Sequence, residues 1–191
     1  LILHPTGYPD IEATLIDCSN PVMILRASDL GLDGGEIEPF RSDKKLLAHL
    51  EAIRSEAAVK YGFVERAADA TSKSLAAPKI AVIAAPRDFV GSDGRTVRAE
   101  EMDVCSRVIS VGAFHKTHPI TSGIALAAAA NTSGTIAAQI IGEGWNGHTL
   151  RVGHPYGILE IKIVMDGARV VKAGSVRTAR RIMDGCVDFY A

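Results

Sequence analysis

Apolar and polar residues alternate from Ile11 to Asp17, the two-residue period of a half-buried strand. Cys18, Ser19, Asn20 and Pro21 interrupt it as a turn, and Val22 to Arg26 resumes as a second strand. Asp33, Gly34 and Gly35 mark a loop. The period then changes. Leu46, Leu47, Leu50, Ile53, Ala57 and Val64 recur at helical spacing, which predicts an amphipathic helix from about Ser42 to Phe63, capped by Ser42 with Asp43 in its first turn.

Lys79 to Ala85 reads as a strand closed by Pro86, Gly91 to Gly94 as a polar turn, and the β-branched run Val104 to Val111 as another strand. Pro119 opens a small-residue helix, Thr121 to Ala130, that stops at Asn131 to Gly134. It has no charge on any side, so it must be buried. Thr135 to Ile141, Thr149 to Val152 and Ile158 to Val164 read as strands. Asp166-Gly167 and Asp184-Gly185 are hairpin signals, and Arg177 to Arg181 alternates as a strand with Arg177 and Arg181 on one side. The expected architecture is α+β: a mostly antiparallel sheet wrapped around a buried central helix, with the amphipathic helix outside. No repeat of fixed period is found.

Composition narrows the class. Hydrophobic residues make up 47% and charged residues 23% of 191, which suits one folded domain with a full core. A net charge of -1 offers nothing to nucleic acid or an anionic membrane, and no apolar run reaches the roughly 18 residues of a membrane helix. Cys18, Cys105 and Cys186 stand singly, without metal-site or redox spacing. With no signal-peptide pattern at the start, a reducing, cytoplasmic setting is expected. The chain opens on Leu1 rather than Met, and Pro5 to Pro9 reads as a linker. Residues 1–10 are therefore expected to be a linker or the end of a preceding lobe, and 11–191 the domain.

Four places carry candidate chemistry. Asn20 offers an amide at a strand end, suited to a carboxylate, although Asn and Pro are also ordinary turn residues. Between Ser110 and Gly123, a small-residue loop with Gly112, His115 and Lys116 leads into the buried helix. Its first N–H groups, at Thr121, Ser122 and Gly123, suit an anion. The plainer alternative is a capped helix beside two solvent histidines. His154, before Pro155, is either a polar group lining the site or a turn residue. Arg177, Arg180 and Arg181 alternate along the expected strand and read as a solvated face. The sequence contains no metal cluster, phosphate loop or nucleophile motif.

Several segments also follow a familiar order: Pro5-Thr6-Gly7, Ile11 to Asp17 into Ser19-Asn20-Pro21, Asp29 to Leu32, and Val97 to Glu100. Ser110-Val111-Gly112, His115, Thr121 to Gly123, Gly153-His154-Pro155, and Arg177 to Arg181 complete it. This order, over nearly the whole chain, resembles the PrpF-type family of methylaconitate, methylitaconate and oxalomesaconate isomerases. The resemblance implies a diaminopimelate epimerase-like fold of two pseudo-symmetric lobes, with the active site between them and this chain as the C-terminal lobe. It implies cofactor-independent proton transfer on a small polycarboxylate, with the acid/base cysteine and lysine in the first lobe. No catalytic residue and no metal site are then expected here. Substrate holding falls to Asn20, Ser110, Gly112, His115, Lys116, Thr121, Ser122 and Gly123. The expected partners are that polycarboxylate and the first lobe, with room for a homodimer. Ala113 and Tyr156 depart from the family's usual Lys and Ser or Thr. With the missing lobe, they motivate the alternative of an inactive binding or assembly domain.

Overall fold

The structure is a computed structural model and describes residues 1–186, 188 and 189. Strand β1 (Ile2–Leu3) pairs with β2 (Ile11–Glu12). The main sheet begins with the hairpin β3 (Thr14–Asp17) and β4 (Pro21–Arg26). Helices α1 (Pro39–Ser42), α2 (Lys44–Lys60) and α3 (Ala70–Lys73) precede β5 (Lys79–Ala84). A small hairpin, β6 (Phe89–Val90) and β7 (Thr96–Val97), leads to β8 (Val104–Ser110) and β9 (Ala113–Phe114). Then come α4 (Ile120–Ala130), α5 (Ile136–Ile141), β10 (Thr149–His154), β11 (Gly157–Asp166) and β12 (Arg169–Gly174).

The main sheet runs β12-β11-β10-β8-β5-β4-β3, with β9 against β8. It is mixed: β4–β5 and β8–β10 are parallel, and the other ladders are antiparallel. The sheet curls around α4, which touches β3 at one edge and β12 at the other. The alanines of α4 pack against Ile24, Val104, Leu150 and Ile161, because a helix without long side chains lets the strands approach closely. On the opposite face, Leu46, Leu50, Ile53 and Ala57 of α2 cover Met23, Leu25, Ile80 and Val82. Leu3, within the expected linker, is 0% exposed in that second core.

Three expectations need correction. The cap of α2 is Asp43, whose carboxylate accepts the N–H groups of Lys45 (2.9 Å) and Leu46 (3.1 Å). Ser42 instead ends α1, a turn started by Pro39, and an ionised acceptor suits the positive helix end better than a hydroxyl. Thr135 to Ile141 is a helix. Thr135 caps α5 by accepting the Ala138 N–H (3.1 Å), and Ile136 and Ala137 are buried. Its apolar run is short enough to fit either period, and the cap decides. Residues 175–186 form no strand, so neither the Arg177 to Arg181 strand nor the Asp184-Gly185 hairpin is formed among the described residues. No described helix is long and apolar enough to cross a membrane.

Candidate functional site at the start of α4

His118 sits beside Ser106 of β8, whereas Asn131, past the far end of α4, bonds Gly147 just before β10. β10 runs parallel to β8 with Val152 opposite Val104, so α4 starts toward the Ser110 end of the sheet. The β3–β4 turn with Asn20 lies at that same end, since Val22 pairs with Lys79 and Ile80 with Ile109.

The start of α4 is unsatisfied. Pro119 occupies the cap position and its side chain makes no capping hydrogen bond. The N–H groups of Ile120, Thr121 and Ser122 therefore lack a helix partner and carry the positive end of the helix dipole. Ser122 is 0% exposed, and its buried Oγ has no hydrogen-bond partner. An unpaired buried hydroxyl is costly unless something else binds it.

Histidines ring this end. His118 is buried. Its Nδ1–H donates to the Pro119 carbonyl (3.1 Å), and the Ser106 hydroxyl donates to Nε2 (3.0 Å), which fixes a neutral ring. Burial pushes its pKa down to about 3, with His154, His115 and Arg107 adding repulsion. His154 is held down at about 4, by burial first and then by Arg107 and His115. Its Nδ1 accepts the Tyr156 N–H (3.3 Å), so Nε2 carries the proton of the neutral ring. His115 is half-buried, with Nδ1 donating to the Thr117 carbonyl (2.8 Å). The arrangement suits an anion held by neutral N–H and O–H donors.

The eight sequence-based site residues separate here. Thr121 and Ser122 lie at the open helix start, with His115 close by, and Lys116 is exposed. Gly123 serves packing. Its N–H already bonds the Pro119 carbonyl (3.0 Å), and a Cβ there would lie 2.9 Å from Ile161 Cγ1. Ser110 and Gly112 belong to the tight β8–β9 turn, where Val111 and Gly112 have φ of 54° and 69°. Gly112 lines a small apolar hollow with Leu47, Leu75 and Ile109, on the α2 side. Asn20 is half-buried at its turn. Sequence reasoning passed over Ser106 and took His118 as one of two solvent histidines in its plainer alternative; His118 is buried instead, and that burial had no local signal. His154 was weighed mainly as a turn residue.

Cys18 and Cys105 are not thiolates: burial raises both pKa values, and the Cys105 thiol rests 3.4 Å from Met102 Sδ. Among the described residues no three His, Cys, Asp or Glu converge as metal ligands. The largest cavity described, about 510 Å³, lies at the opposite end of α4 beside Trp145 and Asn146. Its charges are already paired, Arg151 with Asp103 at 2.7 Å.

Residues 3–190 match the family described as "PrpF protein". The chain is 35% identical to a 3-methylitaconate isomerase of Eubacterium barkeri, over 95% of this chain and 48% of that protein. It is 34% identical to a 2-methyl-aconitate isomerase of Shewanella oneidensis, over 97% of this chain and 48% of that protein. A crystal structure of methylitaconate-delta-isomerase superposes with a TM-score of 0.88 at 33% identity, covering 96% of this chain and 48% of that one. The chain thus spans about half the length of the relatives it matches.

Proposed function

The chain belongs to the PrpF family, and on that footing we propose that it is the substrate-holding lobe of a cofactor-independent isomerase of small di- or tricarboxylates. The observation that carries this reading is the uncapped start of α4, with the partnerless Ser122 hydroxyl inside it. One substrate carboxylate sits against the N–H groups of Ile120, Thr121 and Ser122, receiving bonds from Ser122 Oγ and His154 Nε2. A base removes a proton from the carbon activated by that carboxylate. The charge spreads into a dienolate, and the same donors hold it as it forms. Return of a proton at another carbon moves the double bond. Cys105 is buried and Cys18 half-buried, and burial raises both thiol pKa values, which supports placing the proton-transfer groups in the other half of the protein, a diaminopimelate epimerase-like first lobe. This chain alone is then inactive.

The test is proton exchange. The complete protein is incubated in D2O with 3-methylitaconate, 2-methylaconitate or oxalomesaconate, and NMR follows deuterium entering the carbon skeleton. Exchange is expected with at least one. Ser122→Ala should then raise KM by about 10- to 100-fold, one hydrogen bond to a charged group, with a smaller change in kcat. No exchange with any of the three would favour an inactive binding or assembly domain.

A further inference from the structure

We propose that Arg107 is a positioning residue for the anion site, a cation sealed behind the start of α4 that holds His118 and His154 in place and supplies positive field to the bound carboxylate. The proposal rests on the functional reading above. Arg107 lies in the middle of β8 and is 0% exposed. Its Nε donates to the Glu36 carbonyl (2.8 Å) and Nη2 to Gly35 (2.9 Å). Nη1 donates to Ser106 (3.0 Å) and Gly153 (3.3 Å). The guanidinium also lies 4.4 Å from the centre of the Phe89 ring, a cation–π contact.

Two features set this residue apart from an ordinary structural arginine. First, it makes no ion pair among the described residues. The nearby Glu36 carboxylate instead accepts the Asp33 and Gly34 N–H groups, each at 2.7 Å. Burial draws the guanidinium down to about 10, so it stays charged at neutral pH. A buried cation without a paired anion is costly, and a bound anion nearby relieves that cost. Second, its carbonyl partners flank the site. Ser106 carries the hydroxyl that bonds His118, and Gly153 directly precedes His154. The charged groups acting on His154 are Arg107 from β8 and His115 from the segment after β9. α4 itself bears no ionisable residue. Burial keeps both rings neutral, and Arg107 adds repulsion against a second proton on each; His154 keeps its Nε2–H as a free donor, whereas the one proton of His118 is held by the Pro119 carbonyl. It touches no substrate, since it lies on the face of β8 away from α4.

The test uses the complete protein and two variants, Arg107→Gln and Arg107→Lys. NMR titration of the ring protons reads the His154 and His118 midpoints without substrate, and turnover of 3-methylitaconate reads KM and kcat. In Arg107→Gln the His154 midpoint should rise by about one unit, as expected for a removed buried charge. KM should rise about tenfold, with kcat less affected, as for a lost ground-state attraction. Arg107→Lys keeps the charge but loses the four-carbonyl fork. It should lower Tm and raise KM by less than Arg107→Gln does, while leaving the His154 midpoint as in the parent. If Arg107→Gln does not fold, the lysine variant decides, because a His154 midpoint climbing to the ordinary histidine value there overturns the proposal. So does a loss of Tm in both variants with midpoint and KM unmoved. If the parent turns over no polycarboxylate, the functional reading fails, and the titration still decides the role of Arg107.

Discussion

The two ends of α4 are built in opposite ways. At its C-terminal end the loose carbonyls are met by side chains. Asn131 Nδ2 donates to Ala127 (3.0 Å), Thr132 Oγ1 to Ala128 (2.9 Å) and Thr135 Oγ1 to Ala129 (2.6 Å). At its N-terminal end no side chain caps the N–H groups, and a buried hydroxyl is left without a partner. One helix in one core shows that the fold can satisfy a helix end when stability is all that is required. The end it leaves open is the end where the proposed substrate carboxylate would bind.

That contrast can be broken at several points. The largest effect of a single substitution is expected at Gly123, where β11 presses on the helix just inside its open end. Gly123→Val meets Ile161 and Leu159 and should cost about 3 kcal/mol or more, read as a fall in the urea midpoint. A midpoint within error of the parent would mean that the sheet is not closed on the helix there.

Acid comes next. His118 and His154 both have folded pKa values below 6.5, so the unfolded chain binds more protons below that pH. Their contribution is complete above about pH 6.5 and is lost as pH falls toward 4 and 3, with a slope of up to about 1.4 kcal/mol per unit for each ring. Urea titrations at pH 7, 5.5 and 4.5 should show this decline; a flat profile would place both histidines in water.

Thr135→Val tests the satisfied end. It removes bonds to the ends of both α4 and α5 and should cost about 1–2 kcal/mol in thermal unfolding, leaving KM unchanged. The smallest effect is the most telling. Ser122→Ala should leave stability within about 0.5 kcal/mol or raise it, because the lost hydroxyl bonds nothing in the fold. If it destabilises the protein as much as Thr135→Val does, the two ends of α4 are alike and the contrast fails.

Much of this fold was legible in the chain. The charge-free run after Pro119 announced a buried helix, the alternation at Ile11 and the β-branched run at Val104 announced strands, and Asp166-Gly167 announced the β11–β12 hairpin. At the candidate site, the helix start at Thr121 and Ser122 was legible, whereas the packing of Gly123 against Ile161 was not, since a glycine suited to close approach does not say what approaches it. The cap at Asp43 was missed because two neighbouring polar residues compete for it, and the helix at Ile136 because its apolar run is short enough to fit either period.

By itself, the sequence determined which segments are apolar, where the central helix begins, and the order of residues that marks the family, since these depend on local period and composition. Only the tertiary structure decided that His118 is buried and neutral, that Gly123 faces Ile161, that burial holds the His154 pKa down, and that Arg107 lies sealed without a paired carboxylate. Each of those depends on strands far apart in the chain meeting around one helix, and burial, which sets both the charge state and the unmet hydrogen bond, exists only once they have met.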